Sequence, residues 1–162
     1  LTSEIGADIP FNIYRGTALV NGIGDKIQTI DCIFIKQFSF IIIYPNIQCS
    51  TKDVYKNYKF RLTSAKKYVN INPNIFIKGA DLESLEKNCV NDLTIPAFRL
   101  YKGLNIIKTK IEQLTNKKVF MSGSGSTLFL IYYKKDTQQI ENDCQILKRK
   151  LENCYIYNAK PI

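Results

Sequence analysis

The 162-residue chain is 45% hydrophobic and 12% aromatic, enough to bury a core in one domain or two small ones, and it contains no His. That absence excludes His-based catalytic triads, zinc sites with imidazole ligands and His pH switches. Lys plus Arg number 23 against 14 Asp plus Glu, and the net charge of +9 favours anionic partners: nucleic acid, nucleotides or phosphorylated metabolites.

The five Cys, at 32, 49, 89, 144 and 154, are odd in number and include no C-x-x-C pair, so they read as free thiols of a reducing compartment. The longest apolar run, Phe40 to Tyr44, falls far short of the ~20 residues that span a bilayer, and a soluble protein is expected. Leu1 stands where a Met would open a complete chain, which suggests a piece of a longer protein.

In chain order, Gly6-Ala7-Asp8-Ile9-Pro10 reads as a loop carrying Asp8, because Pro10 disfavours helix in the residue before it. Phe11 to Asn21 and Lys26 to Ile30 are expected to form a β-hairpin about the Gly22-Ile23-Gly24-Asp25 turn. Phe38 to Tyr44 is continuous, apolar and β-branched, and Pro45 ends it; this predicts a central strand buried on both faces. Ser50-Thr51-Lys52-Asp53 offers capping residues for a short helix starting at Ser50 or Thr51.

Asn57 to Ile77 is polar and Lys-rich, with Asn70-Ile71-Asn72-Pro73-Asn74, and is taken as the seam between a region over 1–57 and one over 58–162. Asp81 opens a helix whose apolar stripe is Leu82, Leu85, Cys89, Val90 and Leu93. A second runs from Gly103 to Leu114 with Leu104, Ile107, Ile111 and Leu114 inward, and a third from Thr137 to Leu151. Strand patterns at Lys118 to Met121, Thr127 to Tyr133 and Cys154 to Asn158 alternate with these helices. An α+β fold of split βαβ type is expected.

Two features carry chemistry. Ser122-Gly123-Ser124-Gly125-Ser126 lies between two strands, where glycine permits a tight turn whose converging amides can bind an anion; alone, it is also what a flexible connector looks like. Asp8 is a lone carboxylate in a turn, suited to act as a base or merely to cap it.

The order GADIPF, Gly22-Ile23-Gly24-Asp25, Pro45, Ser50 to Tyr55, Asn91-Asp92-Leu93 and Met121 to Ser126 resembles the C-terminal part of the diphosphocytidyl-methylerythritol kinases, a family of the GHMP kinase superfamily. The resemblance implies the remainder of a GHMP N-terminal domain over 1–57, followed by a ferredoxin-like C-terminal domain over 58–162. It implies transfer of the γ-phosphoryl of ATP, with Mg²⁺, to a hydroxyl of a cytidyl-diphosphate methylerythritol in non-mevalonate isoprenoid synthesis. It further implies Asp8 as the catalytic acidic residue, Thr51 and Tyr55 as substrate-binding residues with Tyr55 on the cytosine, and Ser122, Gly123, Ser124, Gly125 and Ser126 as the C-terminal glycine motif.

No metal ligand, nucleic-acid partner or membrane contact follows from the resemblance, and a bacterial cytoplasm or a plastid is the expected location. Asn12 departs from the family's usual apolar residue. The family's catalytic Lys, its other cytosine-binding residues and its main ATP loop have no counterpart here, so this chain alone is expected to be inactive. The alternatives are a homoserine or mevalonate type of GHMP kinase and a non-catalytic RNA-binding α+β module, although no RNP-like run occurs.

Overall fold

A computed structural model describes residues 9–14, 16–59, 79 and 81–161. Asp8 and most of the expected seam, from residue 60 to 78, lie outside the described residues.

The first element, α1 (Ile9–Tyr14), is a short helix where a loop and the start of a strand were expected. Pro10 falls in its first turn, where a fixed φ suits the helix and the missing N–H is not needed. Gly16, at φ 80°, separates it from β1 (Thr17–Asn21), so only the second half of the expected strand is extended. β1 pairs antiparallel with β2 (Lys26–Ile30) as predicted. In the turn between them Asp25 accepts the Ile23 N–H at 3.0 Å, and a Cβ on Gly22 would collide with that carboxylate.

A 3-10 turn (Ile33–Gln37) leads into β3 (Phe38–Tyr44), the heart of the larger sheet. The remaining elements are α2 (Thr51–Lys59), α3 (Leu82–Asn88), α4 (Thr94–Leu100), α5 (Lys102–Thr115), β4 (Phe120–Met121), β5 (Leu128–Tyr133), α6 (Thr137–Lys150) and β6 (Tyr155–Ala159). The sheet order is β4-β5-β3-β6 with every pairing antiparallel, the arrangement of a split βαβ unit.

β3 pairs with β5 on one side and β6 on the other, so residues 38–44 share one sheet with the strands of the C-terminal half.

One face of the sheet presents Ile41, Ile43, Leu128, Leu130, Tyr132 and Ile156 to Leu104 and Ile111 of α5 and Ile140 and Leu147 of α6. Each such side chain contributes about 1.5–3 kcal/mol by leaving water. The other face holds a smaller cluster of Phe38, Phe120 and Ile131 beneath Leu85 of α3. Phe40, Ile42 and Tyr44 are only half-buried there, so β3 is central as predicted but not covered evenly on its two faces.

The single helix expected from Asp81 through Leu93 is two. Asp81 caps α3 by accepting the Ser84 N–H at 2.8 Å, but the chain leaves the helix at Cys89, and Val90 is exposed. Asn91 starts the next turn: its side-chain oxygen takes the Leu93 N–H at 3.0 Å and its carbonyl takes the Thr94 N–H at 3.0 Å. An Asn that hydrogen-bonds its own backbone competes with helix and starts a turn. None of the five Cys is in a disulfide.

In the core, the Tyr132 hydroxyl donates to Asp143 at 2.9 Å, and both are buried. Burial pushes the Asp143 carboxyl above its ordinary pKa, with the Tyr132 hydrogen bond and nearby Lys117 acting the other way. The unfolded carboxyl titrates near pH ~4 and the folded one above that. In the window between, the folded chain binds more protons, so this group makes stability fall as pH rises through it. Asp143→Asn keeps an acceptor for Tyr132 and removes the buried charge. Melting curves across this window are expected to show the variant gaining on the wild type as pH rises; a pH-independent difference would contradict this.

Candidate functional site

The antiparallel pairing of Ile43 with Leu128 sets the end of β3 beside the start of β5. The loop leaving β3 leads into α2, and the Ser122–Ser126 loop leads into β5, so two distant sequence segments form facing walls. The first wall is fixed at the helix start: the Ser50 hydroxyl accepts the Asp53 N–H at 3.3 Å, its carbonyl accepts the Val54 N–H at 3.0 Å, and Val54 is fully buried. With Val54 inward, Thr51 and Tyr55 one turn later are exposed.

The second wall is a tight loop, as the glycines predict. The Ser122 N–H donates to the Thr127 carbonyl at 2.9 Å and the Gly125 N–H to the Ser122 carbonyl at 3.0 Å. Gly123 and Gly125 sit at φ 54° and 89°. The two walls meet where the Thr51 and Ser124 hydroxyls share a hydrogen bond of 2.8 Å.

Behind that contact, a cavity of about 530 Å³ is lined by Tyr44, Gln48, Ser50, Tyr101, Gly125 and Ser126 among others. The Ser126 hydroxyl is buried and has no hydrogen-bond partner among the described residues. An orphaned buried hydroxyl is costly unless something else pairs with it, and a ligand's polar group would do so. Burial raises the Cys49 thiol pKa, which disfavours its thiolate. Among the described residues no group of three or more Cys, Asp or Glu gathers as a metal cage.

Thus Thr51 and the Ser122–Ser126 loop come together, Tyr55 lies on the same exposed helix face as Thr51, and Asp8 lies outside the described residues. Two residues without a predicted role hold the walls. The Tyr101 hydroxyl accepts the Ser50 N–H at 2.8 Å, and Asn91 donates to the carbonyls of Met121 and Gly123, each at 2.8 Å. Asn91-Asp92-Leu93 stood out as a motif, but only the fold shows what its Asn reaches.

Residues 76–153, which hold the glycine loop and most of this split βαβ unit, match the model of the class described as "GHMP kinases C terminal". Within that class, the chain is 39% identical over 132 residues to a 4-diphosphocytidyl-2-C-methyl-D-erythritol kinase of Clostridium botulinum (strain Langeland), covering 80% of this chain and 45% of that protein. It is 36% identical over 146 residues to the chloroplastic enzyme of the same name from Arabidopsis thaliana, covering 88% of this chain and 37% of that one.

The chain therefore spans less than half the length of these relatives. A crystal structure of a 4-(cytidine 5'-diphospho)-2C-methyl-D-erythritol kinase superposes with a TM-score of 0.65 over 99% of this chain and 56% of that chain; at 21% identity this speaks for the fold.

The two glycines are not equivalent. A Cβ on Gly125 would lie 3.1 Å from the Met121 sulfur and 3.5 Å from both Cys49 and Leu104, whereas one on Gly123 would meet nothing within 4 Å. Gly125→Ala is expected to lower Tm by roughly 4–10 °C, and Gly123→Ala, bearing only backbone strain, by roughly 2–4 °C. Equal shifts in thermal melts would show that the close approach at Gly125 does not matter.

Proposed function

We propose that this chain supplies the C-terminal part of a kinase that transfers the γ-phosphoryl of ATP to a hydroxyl of 4-diphosphocytidyl-2-C-methyl-D-erythritol, a step of isoprenoid precursor synthesis. The observation that carries the reading is the Thr51–Ser124 contact, which joins the two segments that the resemblance assigns to substrate and to the glycine motif. The relatives' names supply the substrate, and the residues present fit an anionic, hydroxyl-bearing ligand. The loop's glycines bend its backbone, two hydroxyls face each other, and the Ser126 hydroxyl awaits a partner.

In phosphoryl transfer the acceptor oxygen bonds to the γ-phosphorus, the bond to the leaving ADP oxygen breaks, and the acceptor's proton must go to a base. The transition state is loose, so the protein's work is mostly positioning and charge stabilisation. In this reading Thr51 and Ser124 orient the acceptor, and Tyr55 stacks on the cytosine. Asp8 takes the proton or orients the hydroxyl. Mg²⁺ would screen the triphosphate's charge when bound with ATP; no described cluster in this chain offers it a cage.

The reading as an RNA platform is weaker: Tyr155 and Tyr157 of β6 are exposed, but Phe38 and Ile131 on the central strands are buried and no RNP-like run occurs.

The experiment is phosphorylation of the cytidyl substrate by the complete kinase and by its Tyr55→Ala variant. Tyr55 is half exposed, so its loss should leave the fold intact. Base–aromatic stacking contributes ~1–3 kcal/mol, so the variant's KM for the cytidyl substrate is expected to rise roughly 5- to 150-fold with that for ATP nearly unchanged. No turnover by the wild-type kinase would refute the substrate assignment, and an unchanged KM would remove Tyr55 from the site.

A further inference from the structure

We infer that Asn91, a residue to which the resemblance gives no role, is a positioning residue for phosphoryl transfer; this rests on the kinase reading above. Three of the four hydrogen-bonding positions of its carboxamide are used. The two N–H bonds of Nδ2 go to the carbonyls of Met121 and Gly123 at 2.8 Å each, and Oδ1 accepts the Leu93 N–H at 3.0 Å. Only a carboxamide of this length offers two donors and one acceptor in that fork.

The two carbonyls flank Ser122, at the exit of β4 and at the first glycine of the loop. The next residue, Ser124, touches Thr51. A shift of Gly123 therefore carries Ser124 away from Thr51 and opens the contact between the walls.

The opposite wall is held from the other end of the same helix. α4 begins just beyond Asn91, its Ala97 is fully buried, and it ends at Tyr101, whose hydroxyl takes the Ser50 N–H at 2.8 Å. α4 thus works as a strut: Asn91 ahead of it fixes the glycine loop, and Tyr101 behind it fixes the start of α2. The distance between the walls is set by a rigid helix and not by the loops themselves, which is how a site keeps its geometry to within a fraction of an ångström.

Asn91→Asp tests this, because it conserves size and turns donors into acceptors. The carboxylate would face the Met121 and Gly123 carbonyls and loosen the loop; once protonated it regains one donor. In the complete kinase, turnover by Asn91→Asp at pH 8 is expected to fall roughly 10- to 100-fold, as a misplacement of about 1 Å would cause. Relative to wild type it should recover as pH is lowered toward 5.5.

Asn91→Ser removes the clamp without a titrating group, so its loss should not change with pH. A merely structural role would leave the two variants with the same pH dependence once folded protein is counted. Amide exchange reads the clamp without any activity: Ser122 and Gly125 N–H should exchange at least about tenfold faster in both variants, with β5 amides unchanged. Wild-type turnover by Asn91→Asp at every pH, or unaltered exchange at Ser122 and Gly125, would overturn the inference. If the wild-type kinase leaves the cytidyl substrate untouched, the functional reading falls, and exchange alone decides whether the clamp exists.

Discussion

The pairing of β3 with β5 is the constraint on which the rest depends. Ile43 opposite Leu128 fixes where the loop off one strand meets the loop before the other, and from that follow the Thr51–Ser124 contact and the cavity behind it. A slip of one residue would turn Ile41 and Ile43 off the helix-covered face and separate the two walls together. The register is well specified because that face is fully buried against α5 and α6, whose Leu104, Ile111, Ile140 and Leu147 leave no room for the half-exposed set. Core packing and site geometry are thus one problem in this fold.

The glycine loop shows how local chemistry is kept narrow. Two glycines take the left-handed backbone that its bend needs, and the loop's own N–H groups close it on Ser122 and Thr127. Gly125 does more, since it lets the chain pass close to Met121, Cys49 and Leu104. The loop's outer carbonyls are taken up by Asn91, so little of its backbone is left to rearrange. What remains free is the buried hydroxyl of Ser126 beside the cavity. Such an arrangement is set before any ligand arrives, which suits the proposed phosphoryl transfer, a reaction whose barrier is lowered mainly by positioning.

Much of this was legible in the sequence where the apolar period is strong. Phe38–Tyr44, the stripe of α5, the final helix and the strands flanking the Ser-Gly repeat all fall where periodicity puts them, because burial of those faces decides their conformation. The misses have local causes. Pro10 reads as a breaker, yet in the first turn of α1 it is tolerated. Asn91 falls inside the one helix expected from Asp81 to Leu93, yet that helix stops at Asn88 and the Asn91 side chain starts the turn into the next.

That β3 shares a sheet with the C-terminal strands was illegible for a different reason: its partners lie far along the chain, and composition near Asn57 says nothing about them. Thr51 and the loop could be named from motif likeness, but their contact could come only from the sheet register. Asn91 and Tyr101 as struts were invisible, since each acts on backbone atoms far away in sequence.

The most direct measurement is a crystal structure of the complete kinase with a cytidine diphosphate ligand and a non-hydrolysable ATP analogue. The account predicts the pyrimidine against the Tyr55 ring, and polar ligand atoms within hydrogen-bond distance of Thr51 and the Ser122–Ser126 loop, with Asn91 still holding Met121 and Gly123. Both ligands bound elsewhere, with the cavity beside the Thr51–Ser124 contact left to solvent, would contradict it.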